Sequence, residues 1–191
     1  MKTITLLELK NQSDKIIKEV GDLENVESYL YDKIVSTKNV AINRFKTDED
    51  WTVNVQIVTL KQSDFDSLKL PSKREDTFNI GYKVEGNESQ YAKTTYSKLI
   101  RILKTITDIV LDFVESHPNA DTLLFLAANK DPEKLLSHTD NQKSALYKTI
   151  VIKRLHRLGS DWKIKDVDVN NDPNFTGFVI YKPNNNNETR K

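Results

Sequence analysis

One stretch of the chain stands out by the spacing of its apolar positions. Between Ser89 and Ser116, the residues Tyr96, Leu99, Ile100, Leu103, Ile106, Val110, Phe113 and Val114 recur at steps of three and four. That spacing is the period of an amphipathic helix. Arg101, Lys104 and Asp108 fall on the opposite face, which the pattern assigns to solvent. At about 1.5 Å per residue this helix runs roughly 40 Å, enough to cross a small domain. A second helix is predicted from about Asn141 to Leu158, with Leu146, Tyr147, Ile150, Val151, Leu155 and Leu158 inward and Gly159 as its stop.

Between and around the helices the period changes to two. Val40 to Phe45 and Trp51 to Thr59 alternate, the second with Trp51, Val53, Val55 and Ile57 on one face. The polar stretch Lys46-Thr47-Asp48-Glu49-Asp50 joins them as a hairpin longer than the two-residue type. Tyr29 to Val35, Thr77 to Lys83, Trp162 to Val169 and Thr176 to Tyr181 are further strands, and Lys61 to Asp76 reads as a loop. Thr122 to Ala128 is almost unbroken in its apolar character, as expected of a central strand covered on both faces. The predicted fold class is therefore α+β: a mostly antiparallel sheet with two long helices packed on one face. A single domain over residues 26–182 is expected, with an N-terminal arm at 1–25 and a polar C-terminal tail at 183–191. The arm carries Leu6, Leu7, Leu9, Ile16, Ile17 and Val20, more apolar surface than a free end normally holds, so it is expected to order against the body or a neighbouring subunit.

Composition narrows the chemistry. A net charge of +1 over 191 residues gives no overall field to attract nucleic acid or acidic lipid. The absence of cysteine excludes disulfides, thiolate nucleophiles and Cys-ligated zinc. No apolar run reaches the roughly 18 residues of a transmembrane helix. The histidines His117, His138 and His156 lack a ligand partner at metal spacing, and five glycines leave little from which to build a phosphate-cradling loop. Asp166 and Asp168 share a strand face, and Asp108 and Asp112 lie one helical turn apart, but neither pair has neighbours that make a site. One local patch carries charge: Lys143, Lys148, Lys153, Arg154, Arg157, Lys163 and Lys165 surround the second helix and its exit. A basic helix face of that kind can track phosphates or meet an acidic protein.

Several spaced patterns point further. They are Glu19-Val20-Gly21-Asp22, the hairpin strand Trp51 to Val55, and the helix segments Leu103-Lys104-Thr105-Ile106 and Ile109 to Phe113. Leu124 to Ala128 and Ser144-Ala145-Leu146-Tyr147 complete the set. Together they resemble a family of small tailed-bacteriophage proteins, over about Lys18 to Leu158. An arginine commonly precedes the Leu-Tyr pair in that family, where this chain has Lys143-Ser144-Ala145. The resemblance implies a non-enzymatic structural or accessory protein, one subunit of a virion assembly in head, connector or tail. Its partners would be other phage structural proteins or copies of itself, in the virion and before assembly in the host cytoplasm. It implies no catalytic residue, cofactor or metal. The alternatives are a nucleic-acid-associated protein using the basic second helix, and an enzyme whose site is assembled from scattered residues.

Overall fold

The computed structural model describes residues 25–68, 70, 73–85, 96–128, 148–159, 161–167 and 175–183. The expected arm at 1–24, the tail from 184, residues 89–95 of the long helix and residues 141–147 of the second lie outside the described residues.

The described strands form one seven-stranded sheet. In chain order they are β1 (Tyr31–Ser36), β2 (Val40–Lys46), β3 (Thr52–Thr59), β4 (Thr77–Glu85), β5 (Thr122–Ala128), β6 (Lys163–Val167) and β7 (Phe175–Tyr181). In space the order is β1-β2-β3-β4-β5-β7-β6. Every neighbouring pair is antiparallel except β4 and β5, which run parallel. The helices are α1 (Gln62–Leu68), α2 (Tyr96–Ser116) and α3, residues 148–155. The mostly antiparallel α+β architecture read from the sequence is present.

Helix α2 supplies the crossover that a parallel pair requires. Its 21 described residues span about 30 Å. Leu103, Ile106 and Val110 pack with Val53, Val55, Ile57 and Ile80 of the sheet, and α3 adds Ile150, Val151 and Leu155 to the same core. At the far end Phe113 meets Phe78 edge-on at 4.9 Å. Strand β5 is buried on both faces, with Leu123 and Phe125 in the main core and Leu124 in a second cluster. That second cluster corrects the loop expected over Lys61 to Asp76. Residues 62–68 form α1, whose Phe65 and Leu68 pack with Leu60, Leu124 and Val179 on the other face of the sheet. Four apolar residues among many charges gave too little periodicity to show a two-turn helix. Gly159, with φ of 116°, stops the turn that follows α3, a conformation that costs glycine little.

A second correction concerns the solvent face expected for α2. Residues 25–30 lie across that face, so it is covered as well. Tyr29 donates its backbone N–H to Thr105 Oγ1 at 2.9 Å, and Arg101 Nε donates to the Glu27 carbonyl at 3.0 Å. The Arg101 guanidinium sits 3.9 Å over the Tyr29 ring. Lys104 is only 8% exposed. Its Nζ donates to Ser28 Oγ at 2.8 Å and to Asp108 Oδ2 at 3.2 Å, while Arg154 of α3 donates to Asp108 Oδ1. Asp108 thus joins the chain's entry segment, α2 and α3. Burial by itself would raise its pKa. Hydrogen bonds from Ser28 and Arg154, with the charge of Arg154, outweigh that and hold it below the usual carboxylate range.

Two expectations follow for stability. Leu103→Ala should cost about 2–5 kcal/mol through the cavity it leaves, while Glu115→Ala on the exposed end of α2 should stay within about 0.5 kcal/mol; equal effects in urea melts would contradict the packing. Asp108→Asn should cost roughly 2–4 kcal/mol at pH 7, because it strands the Arg154 and Lys104 charges. The folded pKa is depressed, so this carboxylate's contribution is full above the unfolded value of about 3.9 and is lost as pH falls through the folded one. The deficit of the variant should therefore narrow in melts below about pH 4. A deficit unchanged between pH 7 and pH 3 would contradict the assignment.

Candidate functional site

The sheet changes character between β4 and β5. Their parallel pairing covers Thr77↔Thr122 to Ile80↔Phe125 and stops there. Both strands continue: β4 to Glu85, still paired with β3, and β5 to Ala128, still paired with β7. The two halves of the sheet therefore part at the carboxyl ends of the two parallel strands. In sheets with parallel crossovers this is where ligands enter.

Hydrogen-bond parity tells which backbone groups face the opening. Leu60 donates its N–H to the Thr77 carbonyl at 3.3 Å, so Thr77 turns its backbone toward β3. The β3–β4 register runs without a slip from Thr59↔Phe78 to Thr52↔Glu85. Gly81, Lys83 and Glu85 then also bond toward β3, and the even-numbered positions point toward β5. At Val84 the N–H and C=O face the side where, among the described residues, β5 no longer pairs. Above Gly81 an added Cβ would meet nothing within 4 Å. The first turn of α2 lies at the same end of the sheet, since Lys98 pairs with Glu49 of the β2–β3 turn, beside the Thr52↔Glu85 end of β4. The free N–H groups of that turn carry the positive end of the helix dipole.

The basic cluster expected around the second helix is not brought together as one face. Arg154 turns inward to Asp108 and is 9% exposed. Lys148 is paired with Asp166 of β6, and Lys153 is half-buried. Arg157, Lys163 and Lys165 are exposed, the last two on one side of β6 with Ile164 buried between them. Lys143, Asp168 and the side chain of His156 lie outside the described residues. Among the described residues no three His, Cys, Asp or Glu side chains gather as metal ligands do. Asp112, which seemed without a partner, accepts a hydrogen bond from the Tyr31 hydroxyl, and this burial and bonding push the Tyr31 pKa up. The opening between β4 and β5 was not legible in the sequence. Its only trace was that β4 runs on past its apolar part through Lys83 and Glu85.

No family model matches the chain, and no curated protein matches it. A solved structure of AAC(6')-Ib, an aminoglycoside acetyltransferase, in complex with paromomycin and acetyl-CoA aligns over 100% of this chain and 96% of that one. The identity is 9% and the TM-score 0.43, which carries no argument about what this chain does. The comparisons overturn the tailed-phage resemblance: no phage family matches, and the structure that aligns is an enzyme. With it go the expected virion role and the exclusion of enzymatic activity that rested on it.

Proposed function

We propose that this chain is a ligand-binding domain whose site is the opening between the carboxyl-terminal halves of β4 and β5. The ligand class is an extended chain bearing amide groups and ending in an anion. The observation that carries this is the end of parallel pairing at Ile80 and Phe125 while both strands run on. An extended ligand laid along β4 can bond to its inward-facing backbone as an added strand would. Its anionic end would lie toward the first turn of α2, where helix N–H groups and dipole favour negative charge.

4′-Phosphopantetheine has this chemistry: two amides in an extended arm with a terminal phosphate. It should bind saturably in calorimetric titration. Val84→Pro removes an N–H that faces the opening and should weaken binding at least tenfold while the protein stays folded. Lys83→Pro removes an N–H used in the β3–β4 ladder and should instead destabilise the fold by about 3 kcal/mol. A folded Val84→Pro variant that binds as the wild type does, or a wild type that shows no saturable binding, would sink the reading.

A further inference from the structure

A second polar recess lies on the other side of the molecule, between β1, β2 and the carboxyl-terminal half of α2. Its walls include Lys33, Asn43, Asp112, Phe113 and His117. The β1–β2 register slips by one residue between Lys33 and Val35, a bulge that re-aims the strand beside the recess. The enclosed part has a volume of about 20 Å³, which holds a water or one small head group.

Asn43 makes this recess unusual. Its side chain is 5% exposed and lines the recess, yet among the described residues no hydrogen bond reaches its amide. A buried amide without partners costs free energy, so such a group calls for an occupant. Asp112 stands on the facing helix. Its Oδ2 accepts from the Tyr31 hydroxyl and lies 3.8 Å from Lys33 Nζ. Among the described residues its Oδ1 carries no hydrogen bond or ion pair. His117 is already engaged: Nδ1 lies 2.9 Å from the Phe113 carbonyl, Nε2 lies 3.4 Å from the Thr37 carbonyl, and its ring stacks on Phe113 at 4.0 Å. It contributes a wall and not a free donor.

We propose that this recess binds a small molecule through a primary carboxamide head group. The carbonyl of such a group accepts from the Asn43 NH₂, and its own NH₂ donates to the oxygens of Asn43 and Asp112. A charged head group is disfavoured, because Lys33 and Asp112 place one charge of each sign at the recess. An anion would be repelled by Asp112, and a cation would compete with Lys33. The site shares no residue with the opening between β4 and β5, so neither proposal depends on the other.

The test is titration of the full chain with three isosteres, propionamide, propionate and propylammonium, followed by NMR at the Asn43 side-chain NH₂ and the Phe113 backbone amide. Propionamide should shift both signals saturably and bind at least tenfold more tightly than either charged compound. Asn43→Leu should abolish the response. No saturable shift would identify the recess as a water site and overturn the proposal, as would a charged isostere that binds equally well. A folded Asn43→Leu variant that keeps its affinity for propionamide would overturn it too. Should that variant not fold, the ranking of the three isosteres on the wild type decides the matter.

Discussion

Burial of helix α2 is the constraint on which the rest of the fold depends. The sheet consists of two antiparallel groups of strands, and their direct bond is the short parallel pairing from Thr77 to Ile80 against Thr122 to Phe125. Four paired positions are a narrow seam for seven strands. Helix α2 spans that seam, with Leu103, Ile106 and Val110 buried to 1% exposure or less. Each such side chain contributes on the order of 1.5–3 kcal/mol when removed from water. On the opposite face the small cluster of Leu60, Leu124 and Val179 under α1 closes the seam from behind. With side chains holding the halves together, the strands are free to part at their carboxyl ends, where the candidate site opens.

The core also contains polar groups that a helix of this amphipathicity would not be expected to bury. Lys104, Asp108 and Arg154 lie between α2, α3 and residues 25–30, and each reduces the cost of burying the others. Their arrangement is specific: both Asp108 oxygens are engaged, from two different elements and the entry segment. Hydrophobic contact alone would let α3 slide along α2, whereas a charge-assisted pair such as Arg154 with Asp108 sets one register. Asn43 is the contrasting case. It points to the same side of the sheet as Ala41 and Phe45, but its amide faces a recess and not a partner.

Much of the architecture was legible from local pattern. The alternation of β3, the unbroken apolar run of β5 and the three-four spacing of α2 each came from a period that the element's own geometry imposes. Gly159 and the Thr47–Trp51 turn were marked by residue types whose backbone preferences are local as well; Asp50 at the turn adopts φ of 61°, which aspartate tolerates better than most residues. The elements outside these rules were missed for the same reason. Helix α1 is two turns long, too short for periodicity to accumulate, and it is held by Leu124 and Val179 from distant parts of the chain.

Which face of an element meets which partner was decided only by the tertiary structure. In β2, Val40 and Ile42 are more apolar than Asn43, yet Asn43 turns inward, because pairing with Val53 and Val55 and the stacking of Phe45 on Tyr29 set the register. A strand's two faces exchange with a one-residue slip, so neighbouring strands settle the choice. Arg154 could be seen as basic but not as buried, since its partner Asp108 lies 46 residues away. The opening between β4 and β5 exists because two strands from separate stretches pair over four residues and then diverge. Periodicity along a chain records how each residue faces its own element; where elements part, and what stands across from them, depends on contacts between segments that the local pattern does not encode.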